Sequence, residues 1–95
     1  MQGIMPISEY DPELGKCWCI PTEVITRKTK TGKSYYQVKA IDSNMEEVKI
    51  NCWGVDPKVD HIYTNRLYVL EWPQYNETWG FSTRVGVNKN WKLLG

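Results

Sequence analysis

Two runs of strict alternation constrain this chain more than any other feature. Across residues 35–41, Tyr36, Val38 and Ala40 fall on one side, and Tyr35, Gln37 and Lys39 on the other. Across residues 46–53, Val48, Ile50 and Cys52 alternate with Glu47, Lys49, Asn51 and Trp53. A period of two, rich in aromatic and β-branched residues, marks half-buried strands. A helix would scatter the same apolar residues around its circumference. The even-numbered residues point inward in both runs, so directly opposed residues sum to an even number. A three-residue loop, Asp42, Ser43 and Asn44, meets that condition. It sets Lys39 opposite Glu47 and Gln37 opposite Lys49, and avoids opposing Lys39 to Lys49. Asn44 tolerates the left-handed conformation that the third loop position needs.

The remaining elements follow from breakers and caps. A first strand spans 16–28, at a sheet edge or bulged where Pro21 breaks the ladder. Asp56 suits a helix N-cap and Pro57 a first helical position. Val59, Ile62 and Tyr63 then form the apolar side of one short helix over 57–63. A fourth strand spans 66–72, with Leu67 and Val69 alternating against Tyr68, Leu70 and Trp72, so both of its sides are covered. Residues 73–77 form a loop, and 78–83 a fifth strand with Trp79 and Phe81 on one side. Residues 1–15 are an irregular lead-in, partly ordered by Ile4, Ile7 and Tyr10. Residues 16–95 form a single domain. A chain of 95 residues is one domain with a small core.

The charge is uneven. Arg27, Lys28, Lys30, Lys33 and Lys39 crowd one segment, and no acid falls between Glu23 and Asp42. Net charge is only +1, so any field that attracts a polyanion is local. Five Trp and six Tyr stand against one Phe, and these flat rings with a polar handle recur at binding surfaces. A basic loop feeding a strand with an outward ring and cation suits a nucleic-acid backbone and an unstacked base. The candidate binding residues are Arg27, Lys28, Lys30, Lys33, Tyr35, Lys39, Lys49 and Trp53. The bland alternative is a solvated, Lys-rich hairpin tip. Trp18, Trp72, Trp79 and Trp91 are assigned to packing, and Tyr36 points inward.

Catalytic and metal motifs do not assemble. Cys17, Cys19 and Cys52 lack the spacing of zinc ribbons and fingers, and with His61 they are read as packing and surface residues. Thr31-Gly32-Lys33-Ser34 imitates a phosphate loop, but Arg27 occupies the position of the first glycine and a strand follows. Asp42 to Glu46 opens like a calcium loop, but Glu47 stands where glycine is required. No Ser or Cys has a base and an orienting partner. The chain is therefore read as a non-enzyme without cofactor or metal. With no membrane-length apolar run and no secretory start, it is read as soluble and cytoplasmic.

Three strands, a short helix and two strands are the element order of the OB-fold, a five-stranded Greek-key barrel. The segment Lys30-Thr31-Gly32-Lys33-Ser34-Tyr35-Tyr36-Gln37-Val38-Lys39-Ala40-Ile41-Asp42 resembles the Lys-x-Gly-Lys, strand, Asp segment of nucleic-acid-binding OB domains. These include the anticodon-binding type and the OB domain of the bacterial DNA polymerase III alpha subunit. The similarity covers 24–82. The chain departs from it at Asn44-Met45 and Thr64-Asn65, where the family usually has Gly. The resemblance implies that the outer sides of strands two and three, with the loops joining strands one to two and four to five, bind single strands. This adds Tyr75 to the candidate set. The expected function is single-stranded nucleic-acid binding, DNA favoured over RNA, as a monomeric module of a replication protein, with other replication proteins as further partners. The alternative is a protein-interaction barrel that binds no nucleic acid.

Overall fold

A computed structural model describes residues 4–84 and 90–94. Among them the chain is all-β. Its strands are β1 (Met5–Pro6), β2 (Lys16–Lys28), β3 (Ser34–Ile41), β4 (Val48–Trp53), β5 (Tyr68–Glu71), β6 (Gln74–Asn76), β7 (Gly80–Arg84) and β8 (Trp91–Leu93). They join in the order β6-β7-β4-β3-β2-β5-β8, with β1 added in parallel to the start of β2. The pair β4–β7 is also parallel, and the other pairs are antiparallel.

The long strand β2 curls the sheet. Its first half, Lys16 to Cys19, pairs with β5, and its second half, from Ile20, pairs with β3. The register slips between Pro21 and Glu23, so Thr22 is the extra residue of a bulge. A bulge bends its strand and raises the local twist. It also switches parity. Before it, Cys17, Cys19 and Pro21 are buried; after it, Val24 sits opposite Val38, and Ile25 and Arg27 turn outward. The proline thus fixes which side of the sheet Arg27 occupies.

The inward residues make the core. Cys17, Cys19, Val38, Ala40, Ile50, Cys52 and Leu70 are fully buried, joined by Ile7 from a 3-10 turn at Ile7–Glu9. The lead-in is therefore woven into the sheet and core. Burying a side chain the size of Leu70 contributes about 1.5–3 kcal/mol. Asn90 ties the far ends of β5 and β7 together. Its backbone carbonyl accepts from Glu71 N at 2.8 Å, its Nδ2 donates to Glu71 O at 2.7 Å, and its Oδ1 accepts from Arg84 N at 3.3 Å.

Three expectations are corrected. The helix over 57–63 does not form. Asp56 closes one turn, accepting from Val59 N and Asp60 N, and the chain then runs irregularly. The reason is competition for backbone groups. Tyr63 N donates to the Tyr68 hydroxyl at 2.8 Å, so it is lost to a helical bond, and the Tyr36 hydroxyl pins Asp60 by donating to its carbonyl.

The β3–β4 register is also displaced by two residues: Lys39 faces Lys49, and Gln37 faces Asn51. The loop is longer than three residues because Asp42 anchors it. Asp42 is buried, and its carboxylate accepts from Ser8 N at 2.8 Å and Asn44 N at 2.9 Å, while its carbonyl accepts from Met45 N. Met45, not Asn44, takes the left-handed conformation, with φ of 57°. Lastly, the 73–77 loop contains β6, which pairs with β7 through Gln74, Tyr75 and Asn76. At the turn end of that hairpin Gly80 has φ of 82°, and an added Cβ would lie 2.7 Å from the Lys49 carbonyl oxygen. Only glycine permits β7 to approach β4 that closely.

Candidate functional site

Outward residues of β2, β3, β4, β7 and β6 line up across the strands in three rows, because opposed residues share a side. The first row runs Arg27, Tyr35, Trp53, Arg84, and the Tyr35 and Trp53 rings lie 4.5 Å apart at an interplanar angle of 35°. The second runs Ile25, Gln37, Asn51, Ser82, Gln74. The third runs Glu23, Lys39, Lys49 and ends at Gly80 and Asn76. Rows stand about 7 Å apart along a strand, and strands about 4.8 Å apart. The amide row therefore lies about 7 Å from both the ring row and the cation row, and those two stand about 14 Å apart.

The face is concave. A groove of about 530 Å³ is lined by Tyr35, Trp53, Trp79, Gln37, Asn51 and Gln74, among others. A smaller one of about 240 Å³ lies between Ile25, Arg27, Gln37, Lys39 and Lys49. Arg27 Nε donates to Gln37 Oε1 at 2.8 Å, which ties the first row to the second. Lys39 Nζ lies 3.8 Å from Glu23, a half-exposed pair that contributes little. Among the described residues, Arg27, Lys49 and Arg84 have no carboxylate within ion-pair distance. The face therefore keeps a net positive potential although the whole chain is close to neutral.

The structure brings together Arg27, Tyr35, Lys39, Lys49 and Trp53. Lys30 and Lys33 sit apart, exposed on the hairpin tip between β2 and β3, where Gly32 has φ of 83°. Lys28 faces Ser34 and lies on the side of the ladder opposite to Arg27. Tyr75 faces Phe81, with ring centroids 4.9 Å apart, and at the exposed sheet edge it also lines the groove that holds Tyr35 and Trp53.

Sequence reasoning missed Arg84, and one of its packing assignments, Trp79, is corrected. Arg84 was within reach, since Phe81 and Thr83 point inward and parity turns Ser82 and Arg84 outward. Trp79 is 71% exposed, because β7 begins one residue after it and it belongs to a turn. Trp72 is 61% exposed. It has φ of 53°, unusual for a bulky residue, and its ring lies on Gly15, where an added Cβ would come within 2.5 Å. Its other side joins Trp53, Arg84 and Asn90 around a cleft of about 270 Å³. Trp91 packs as expected, its indole N–H donating to Thr83 Oγ1.

The titratable groups away from the face serve structure. Burial pushes the Cys17 and Cys52 thiols up to about 12 and raises Cys19 further, so all three stay protonated at neutral pH. A protonated, buried thiol is a poor nucleophile. Burial opposes ionisation of Asp42, yet the hydrogen bonds from Ser8 and Asn44 outweigh it and hold the carboxyl below its usual range. His61 is exposed on the loop after β4, its ring near Tyr63. Among the described residues, no three His, Cys, Asp or Glu side chains cluster as metal ligands. No described helix is long and apolar enough to cross a membrane. Comparison with protein-family models, with curated proteins and with solved structures returned no match.

Proposed function

We propose that this chain is an OB-type barrel that binds single-stranded nucleic acid, DNA in preference to RNA, as a module of a replication protein. Support for the barrel comes from strand order. Taking β2, β3, β4 and β5 as the first four strands, their spatial order is fourth, first, second, third, which is a Greek key. The strand β7 supplies the fifth. Support for the function rests on one observation: a partly exposed Tyr35–Trp53 ring pair flanked by Arg27 and Arg84, with Lys39 and Lys49 four residues away on the same strands. A base stacks on the rings while its phosphates meet the cations. Such stacking contributes about 1–3 kcal/mol per base. Duplex is a poorer ligand, because its bases already stack on each other. The test is a titration of the protein into labelled single-stranded DNA, RNA and duplex. The reading expects the affinity order single-stranded DNA, RNA, duplex, and it fails if no nucleic acid binds.

A second reading, a protein-interaction barrel, draws on a different place. Ile7, Tyr10, Pro12, Val48, Tyr75 and Phe81, with Ser8 and Glu46, line a mainly apolar groove of about 480 Å³ beside the β6 edge. That groove carries no cation and does not suit a polyanion, so activity confined to it would favour a peptide ligand.

A further inference from the structure

Resting on the nucleic-acid reading, we infer that this face also selects among bases, accepting oxo bases (thymine or uracil, and guanine) over amino bases (adenine and cytosine). The argument starts from the amide row. A base stacked on Tyr35 and Trp53 extends its edge over Gln37 and Asn51, one row away on the same strands. An unconstrained glutamine offers one donor and one acceptor, and pairs well with adenine. Gln37 is constrained. Its Oε1 already accepts from Arg27 Nε, so its fully free hydrogen-bonding group is the NH2. A guanidinium has donors only, and so do the ammonium groups of Lys39 and Lys49 that line the neighbouring cleft. Asn51 and Ser82 can present either a donor or an acceptor, so they adapt to a base without choosing it.

The fixed hydrogen-bonding groups beside the ring pair are therefore donors. Thymine and uracil meet them with O4 or O2, and guanine with O6 and N7. Adenine and cytosine bring an exocyclic amine to the same edge, where among these groups only Asn51 and Ser82 can turn an acceptor to it. A donor left facing a donor in a groove loses a hydrogen bond and stays desolvated. The phosphate contacts are the same for every sequence, so they raise affinity without changing this preference.

The test uses two oligonucleotides of equal length and charge, on the order of ten nucleotides, one of alternating T and G, the other of alternating A and C. Fluorescence anisotropy measures binding of each separately to the full chain. The TG strand should bind about tenfold more tightly or better. In Gln37→Glu a carboxylate faces Arg27 and turns an acceptor toward the base. Both affinities should fall with the added negative charge, and the TG-to-AC ratio should fall to about one or invert. Gln37 is outside the core, so thermal melting should show the variant folded. Equal binding of the two strands by the unaltered protein overturns the inference while leaving the binding face in place. An unchanged ratio in Gln37→Glu overturns it as well. Failure of both strands to bind overturns the inference together with the reading beneath it.

Discussion

The β2–β3 hairpin holds cations in two settings, and they differ in everything but charge. At its tip Lys30 and Lys33 are exposed, and the turn is held by its own Thr29: Thr29 N donates to Lys33 O at 2.8 Å, and Lys33 N to Thr29 Oγ1 at 3.2 Å. No ring lies in that turn. On its body Arg27 and Lys39 sit in register with Tyr35, Gln37, Asn51 and Trp53, on strands whose other sides are core. A Lys on a free tip acts at a distance and is screened by salt. A cation fixed beside a ring pair acts at contact, where orientation counts. In the proposed function the tip supplies sequence-independent attraction, and the face supplies stacking and base contacts.

The largest expected effect tests the face. Tyr35→Ala and Trp53→Ala should each weaken single-strand binding by about 1–3 kcal/mol. The rings touch each other, so the double variant should lose less than the sum of the singles. Unfolding by denaturant should change much less than binding, because an outward ring leaves no core cavity. If both variants unfold, the rings support the fold and the division between face and core is wrong.

Next comes the tip. Neutralising Lys28, Lys30 and Lys33 together should reduce the slope of log affinity against log salt by roughly two, at about 0.7 per phosphate for single strands. The relative affinities for different sequences should stay the same. An unchanged slope would make the tip a solvated turn, and a changed sequence preference would erase the distinction drawn here.

Asp42 provides a third test, because its anchored turn sets the register that brings Lys39 opposite Lys49. Its lowered pKa means the folded state favours the carboxylate. The stability it confers is complete above the usual carboxylate range and is lost as pH falls through the folded-state value. Asp42→Ala should cost about 1–3 kcal/mol at neutral pH, with the loss shrinking in acid, as followed by thermal melting across pH. A loss independent of pH would remove the charge from the account. The smallest effect is a control: a thiol reagent should leave Cys17, Cys19 and Cys52 unmodified in the native state and react only on unfolding. Early labelling would mean that the sheet opens where the face requires it closed.

Alternation made much of this legible. The inward set Tyr36, Val38, Ala40, Ile50 and Cys52 and the outward set Tyr35, Lys39, Lys49 and Trp53 follow from period two, and Pro21 marked the bulge. What stayed hidden depended on partners distant in the chain. Ser8 bonds Asp42 from 34 residues away and lengthens the loop, moving the register by two. The Tyr68 hydroxyl claims a backbone N–H that a helix over 57–63 would need, and the Tyr36 hydroxyl pins Asp60. Gln37 faces Asn51 only in that shifted register, and Ser82 joins them only when β7 docks in parallel on β4. Tyr75 reaches the groove not from a loop but from β6, at the sheet edge, where it also packs on Phe81.

The most direct measurement is a backbone and indole amide NMR map of the full chain titrated with single-stranded DNA. The account predicts shifts concentrated at Tyr35, Gln37, Asn51, Trp53, Ser82 and Arg84, including the Trp53 indole N–H. Smaller, salt-sensitive shifts should appear at the hairpin tip. Shifts confined to the Ile7, Tyr10 and Phe81 groove, or no shifts at any ratio of DNA to protein, would contradict it.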